Sequence, residues 1–394
     1  MYPIIGNALE IDGLYSKNVL VYNLDEDIIL YEEKIEDKIS IASLTKIMTT
    51  IVAIENIDDL NEKVTITSKM LEGIPYDASV AGLEVGDTLT YKDLLYASMI
   101  PSGADATQAL AISLTGSISN FVKLMNETAE RIGLTNTHYV NTTGLDEEGH
   151  YSTIKDILTL IKYALNNETF KEVFETKSYT TTNNIKLKST LSYYNKGLNY
   201  DISYVKGSKT GFTDDAGLCL LTLSNIDETN IITITTNAPY TYGNFKNMID
   251  LNKIKDTLKD NFTKIILVNK NDTLVTLETK YAKQKEIIIK SPKDISKYIE
   301  NPYDKTELKI EYTGEKIINY NTEVGTKLGE VKITYKDEIV DILEIKLEQE
   351  LNFSLLAFIK ENIITIIIAL LVLTVVIIVL KKPKKKKRKK IVVR

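Results

Sequence analysis

From Ile363 to Leu380 the chain reads "IITIIIALLVLTVVIIVL", eighteen residues without a charge and with two threonines as the only polar interruptions. As a helix this run measures about 27 Å, close to the thickness of a bilayer's hydrocarbon core. A helix at the edge of a soluble core keeps a polar stripe, and this one has none, so residues 363–380 are expected to cross a membrane. "KKPKKKKRKK" follows at once, nine basic residues in ten, and the positive-inside tendency places that tail, residues 381–394, in the cytoplasm. The body of the chain then lies on the extracytoplasmic side of a cell membrane, held by a single C-terminal span. The opening "MYPIIGNALEIDG" has neither a basic n-region nor an apolar h-region, so the export signal such a body requires is expected to be absent from this sequence.

Charge and composition narrow the body further. Residues 361–394 carry ten Lys and Arg against one acid, so a whole-chain charge of −6 leaves about −15 on residues 1–360. An acidic body does not bind nucleic acid. Cys219 is the single cysteine, and His138 and His150 are the two histidines, neither in a ligand spacing. An internal disulfide and a multi-cysteine metal site are excluded, and neither a metal nor another cofactor is expected.

With 394 residues and 43% hydrophobic content, the chain can bury a large core and is long enough for two or three domains. Residues 15–34 read as a β-hairpin around "NLDED", and a helix begins near Ser43, with Leu44, Ile47, Met48, Ile51 and Val52 forming one buried stripe. Helical periods dominate 91–133 and 153–165, strands follow between 178 and 236, and "MIDLNKIKDTLKDNF" closes the region as a helix. Residues 1–263 are therefore expected to form a mixed α/β domain. Short β-branched runs separated by Asn, Asp, Gly and Pro then predict a small all-β domain over 264–350, joined by a linker at 351–362 to the span.

Inside the first helix, "IASLTKIMTTIVAIEN" places Ser43 and Lys46 one turn apart on one face. A serine hydroxyl needs a base to attack a carbonyl, and a lysine can be that base once its pKa is lowered. The S-x-x-K pattern is weak by itself: it recurs at Ser152/Lys155 and Ser203/Lys206, and Ser43 could equally cap a helix while Lys46 reaches to water. Two later stretches add weight. "MIPSGADATQALA" sets Ser102 at a turn before a helix, and "VKGSKTGFTDDAGLCLL" carries Lys209, Thr210 and Gly211 into a strand, offering a cation and a hydroxyl to a carboxylate.

S-x-x-K, a serine turn about 60 residues on and K-T-G about 105 beyond form the ordered signature of penicillin-recognising serine enzymes with a β-lactamase/transpeptidase-like α+β fold. Together with "GLTNTHYVNTTGLDEEGHYST", these stretches resemble the D-alanyl-D-alanine carboxypeptidases, the low-molecular-mass penicillin-binding proteins. The likeness covers residues 14 to about 260, and a small β domain with a C-terminal membrane attachment also follows the family's order. It implies that the enzyme removes the last D-alanine from peptidoglycan stem peptides, and that β-lactams inhibit it covalently. Position by position, Ser43 becomes the nucleophile, Lys46 its base and Ser102 a proton relay. Lys209 and Thr210 hold the terminal carboxylate, while the N–H groups of Ser43 and Phe212, the residue after Gly211, stabilise the oxyanion. The charge of Lys209 is expected to lower the pKa of Lys46.

One departure stands out. The second motif is usually S-x-N, and Ala104 occupies the asparagine position; Asn141 and Asn195 are the candidates to replace the missing amide. A weakened, scaffold-like wall protein and a β-lactamase are the alternative readings. The latter needs a dedicated water-activating group, and none stands beside the motifs.

Overall fold

The structure, a computed structural model, describes residues 9–381. The basic tail from residue 382 onward and the first eight residues, where the expectations about tail and export signal fall, lie outside that range. The chain divides into two units, one comprising residues up to Lys264 with the return Tyr298–Asn301, the other Ile265–Lys297 with everything from Pro302.

The first unit opens with the expected hairpin, β1 (Asn18–Asn23) and β2 (Ile28–Glu33). A 3₁₀ turn (Ala42–Leu44) leads into helix α1 (Thr45–Glu55). The short strands β3 (Lys63–Thr65) and β4 (Thr88–Thr90) enclose α2 (Ser68–Leu71), and α3 (Tyr91–Met99), α4 (Ala104–Thr115), α5 (Ile118–Arg131), α6 (Ile154–Leu165) and α7 (Glu168–Glu175) follow. After β5 (Ser178–Thr180), β6 (Lys186–Lys188) and α8 (Thr190–Tyr194), three long strands complete the sheet: β7 (Val205–Thr213), β8 (Gly217–Ile226) and β9 (Thr229–Ala238). Helix α9 (Lys246–Asn261) ends the unit.

The sheet has the order β2-β1-β9-β8-β7 and is antiparallel throughout. Its continuous apolar runs follow from burial on both faces, because alternate residues of one strand enter different cores. Leu20 and Tyr22, with Cys219, Leu221 and Leu223, pack against the helical cluster. Val19 and Val21 join Ile254 and Leu258 of α9, and Leu218 and Leu220 join Met248 and Leu251. Strand β7 ends the order, so K-T-G lies on an edge strand with one side open.

Helix α1 departs from the single-stripe expectation, since every residue from Thr45 to Ala53 is buried. A helix enclosed on all sides must satisfy its polar groups internally. Thr49 Oγ1 donates to the Thr142 carbonyl at 2.8 Å, and Thr50 meets Ser98 Oγ at 3.3 Å. The polar residues of "TKIMTT" therefore fix α1 to its neighbours, while Ile47, Met48 and Ile51 each contribute about 1.5–3 kcal/mol by burial.

The second unit is built from strands, as its β-branched texture predicts. Strand β10 (Phe262–Val268) leads into it, and β11 (Thr273–Lys280), β12 (Glu286–Lys290), β13 (Ile295–Glu300, which returns to the first unit from Tyr298), β14 (Leu308–Gly314), β15 (Ile317–Asn319), β16 (Lys327–Tyr335) and β17 (Glu338–Lys346) follow. They include the three-stranded sheets β12-β11-β15 and β14-β16-β17. Helix α10 (Leu355–Leu380) has 26 residues, none of them buried, and is long and apolar enough to cross a membrane. It begins inside the stretch read from sequence as a linker, because Ser354 caps it by accepting from Ala357 N–H at 3.2 Å.

Candidate active site

Ser43 sits half-buried at the middle of the 3₁₀ turn, two residues before α1 starts. It makes no side-chain cap bond to the turn or the helix, so the capping alternative does not hold. Ala42 just before it has φ of +44°, a left-handed conformation that alanine adopts only when its surroundings impose it. Two glycines make that possible. A Cβ on Gly144, itself at φ +83°, would stand 1.8 Å from the Ala42 carbonyl oxygen, and one on Gly211 would stand 3.0 Å from both Ser43 N and Ala42 Cβ. The turn is thus held between a loop and strand β7.

Lys46 lies one turn further along and is 2% exposed. Its Nζ is 2.8 Å from Ser43 Oγ and donates to the Thr143 carbonyl at 2.8 Å. Burial pulls its pKa down to about 7, with the buried Asp105 carboxylate pushing the other way. A neutral amine keeps one N–H on the Thr143 carbonyl and can turn its lone pair toward the serine hydroxyl. The expected influence of Lys209 falls the other way round: burial, and then the like charge of Lys46, hold Lys209 well below the ordinary lysine range.

Ser102, at φ +63° and almost fully buried, is a second non-glycine residue in the left-handed region. Lys209 Nζ donates to its Oγ at 2.8 Å and to the Thr210 carbonyl at 2.7 Å, and Thr210 Oγ1 donates to Thr190 Oγ1 at 2.6 Å. Neither Lys46 nor Lys209 has a carboxylate ion-pair partner among the described residues. Two buried amines with no carboxylate in contact form a site ready to receive an anion. Gly211 runs beside Ser43, and the Phe212 side chain points outward, 40% exposed, with its ring 4.7 Å from that of Tyr240.

Ala104 begins α4, buried, its N–H donating to the Ser79 carbonyl at 2.8 Å. Neither candidate for the missing amide reaches the site. Asn141 Oδ1 accepts from Thr143 N–H and Gly144 N–H, and Asn195 is closed on the backbone of Tyr200. What takes an N–H of Lys46 instead is the Thr143 carbonyl. The other S-x-x-K pairs do not come together: Lys155 pairs with Glu36 at the surface while buried Ser152 bonds Thr137, and Lys206 donates to Asn230.

The segment from His138 to Ser152, which the sequence offered as part of the family likeness without a role, organises the site. Its ends pair as bridges, His138 with Tyr151 and Ser152 with Ile39. Between them Thr142 holds Thr49, Thr143 holds Lys46, Gly144 lies under Ala42, and Asp146 accepts from Thr213 Oγ1 at 2.7 Å. Asp105, next to Ala104, secures the opposite wall by accepting from the N–H groups of Ala81, Gly82 and Leu83. Backbone carbonyls and glycines carry no side-chain signature, so spacing alone could not have found them.

A serine beside a near-neutral buried lysine, on a mixed α/β fold with K-T-G on an edge strand, defines the serine hydrolases that work with lysine in place of histidine. Residues 7–240 match the D-alanyl-D-alanine carboxypeptidase family, peptidase S11, and the chain belongs to that family. It is 28% identical over 329 residues to the D-alanyl-D-alanine carboxypeptidase DacF of Bacillus subtilis, across 82% of this chain and 83% of that one. It is 35% identical over 205 residues to the D-alanyl-D-alanine carboxypeptidase of Streptomyces sp. strain K15, across 49% and 70%. In fold it is similar to a peptidoglycan synthesis regulatory factor (PBP3) of Streptococcus pneumoniae, with a TM-score of 0.69 and 21% identity across 86% of this chain and 100% of that one.

Proposed function

We propose that the protein is a membrane-anchored serine D-Ala-D-Ala carboxypeptidase that removes the terminal D-alanine of peptidoglycan stem peptides, with β-lactams as covalent inhibitors. The observation that carries this reading is Lys46 Nζ at 2.8 Å from Ser43 Oγ with a pKa near 7. The substrate's terminal carboxylate binds Lys209 and Thr210, supplying the anion that the buried Lys209 lacks. Neutral Lys46 takes the Ser43 proton as Oγ attacks the carbonyl carbon of the penultimate D-alanine. The oxyanion sits between the N–H groups of Ser43 and Phe212, a placement supported by the close passage of Gly211 beside Ser43 N. Ser102, bonded to Lys209, relays the proton to the departing amine. The C–N bond breaks, D-alanine leaves, and water, deprotonated by Lys46, cleaves the acyl-serine ester.

The same reading keeps the domain plan of residues 1–263 as the catalytic part and 264–350 as a spacer between active site and membrane, with α10 as the anchor and the catalytic unit outside. A purely scaffolding role is not favoured, because two buried, unpaired amines cost stability and have no use there. The test is release of D-alanine from a peptide ending in D-Ala-D-Ala by the wild type and by Ser43→Ala. A loss of at least about a thousandfold is expected; equal release by both would sink the proposal, and rapid penicillin hydrolysis would favour the β-lactamase alternative.

A further inference from the structure

The protein has two histidines, and His150 is buried against Thr45, which lies between the two motif positions Ser43 and Lys46. Its Nε2 is 2.8 Å from Thr45 Oγ1, and its Nδ1 accepts from Val140 N–H at 3.2 Å. Thr45 Oγ1 is also 2.8 Å from the Ala42 carbonyl, which cannot donate. The polarity of this chain is therefore fixed. Thr45 has one hydroxyl proton and gives it to Ala42, so His150 Nε2 must carry the proton that Thr45 accepts, and Nδ1 must be bare to receive Val140 N–H. No other protonation of the imidazole satisfies all three contacts.

From this geometry we infer that His150 is a positioning residue: its Nε2–H orients the Thr45 hydroxyl, which holds the Ala42 peptide in its left-handed conformation and so sets the attack direction of Ser43. The inference rests on the acyl-serine reading above. Ala42 O is the same oxygen under which Gly144 is wedged, and it also accepts the Thr45 N–H, so three constraints on the residue before Ser43 meet at one carbonyl. His150 takes no part in proton transfer. Protonating Nδ1 would turn its proton against Val140 N–H, and burial holds the pKa at about 4 despite Glu147 and Asp146, which raise it, with His138 opposing them. The remaining face is covered by the Tyr139 ring, edge-on at 5.7 Å. Across the range in which Lys46 titrates, His150 is a fixed neutral donor.

The experiment compares the full-length wild type with His150→Gln, His150→Leu and Thr45→Val. It reads the rate of Ser43 acylation by a fluorescent penicillin, kcat and KM on a D-Ala-D-Ala peptide from about pH 5 to 9, and thermal unfolding. Glutamine can still donate an N–H to Thr45, so His150→Gln should acylate at a rate close to the wild type with an unmoved acid limb. His150→Leu and Thr45→Val should lose about a hundredfold in acylation rate and kcat, with KM little changed. Wild-type rates in folded His150→Leu or Thr45→Val would overturn the inference. So would an acid limb that shifts in His150→Gln, which would mark His150 as a titrating participant. If His150→Leu fails to fold, Thr45→Val and His150→Gln decide the matter. No acylation in the wild type would instead reject the acyl-serine reading itself.

Discussion

Lys46 is where sequence, burial and chemistry meet. Its pKa of about 7 is well below the ordinary lysine value, and burial is the first cause. The folded state therefore binds fewer protons than the unfolded chain between about pH 7 and 10, and stability rises with pH through that window. Lys46→Met should thus be more stable than the wild type by about 1–2 kcal/mol at pH 6, with the difference fading toward pH 10; chemical denaturation at both pH values measures it. The same titration predicts that kcat/KM on a D-Ala-D-Ala peptide rises with pH about an apparent pKa near 7, and a profile flat across neutrality would refute Lys46 as the base. The order of Ser43, Lys46, Ser102 and K-T-G was legible in the sequence. What the sequence did not carry was how completely the first helix is enclosed, which is what lowers that pKa, nor the Thr143 carbonyl that accepts from Lys46 Nζ.

Among the elements, those with a strong local period were legible: the hairpin β1–β2, helices α3 to α6, α9, and the long strands β7 to β9. Strands β3 and β4 were missed because each has three residues and finds its partner more than twenty residues away, so no local pattern marks either. Helix α1 was read correctly as a helix but given too narrow a buried face, since its threonines pass for a polar side until their partners Thr142 and Ser98 are known. The His138–Ser152 segment was read as part of a family likeness and not as the element that holds the turn carrying Ser43. Its importance can be measured at Gly144. With φ of +83° and the Ala42 carbonyl 1.8 Å from where a Cβ would stand, Gly144→Ala should cost about 2–4 kcal/mol in denaturant unfolding and displace Ser43 enough to abolish penicillin labelling. Gly116→Ala, with open space around its Cα at a helix end, should keep full labelling and serve as the control.

For the whole molecule, a catalytic unit, a strand-built unit and a 26-residue apolar helix follow one another in the chain. Fold class and order were legible because the textures differ: helical periods, then short β-branched runs, then an uncharged stretch. Truncation after residue 350 should release the protein from membranes while kcat/KM on a soluble peptide stays within about twofold, since the site is built inside the first unit. A truncated chain that still sediments with membranes would place the attachment elsewhere. Acylation at Ser43 Oγ is what the proposed function turns on, and one measurement reaches it directly: incubation with a penicillin, proteolysis, and mass spectrometry of the peptide containing residues 41–56. A single penicilloyl group on Ser43, lost in Ser43→Ala, is expected; an adduct on another residue, or an unmodified Ser43 in active protein, would contradict the acyl-serine mechanism.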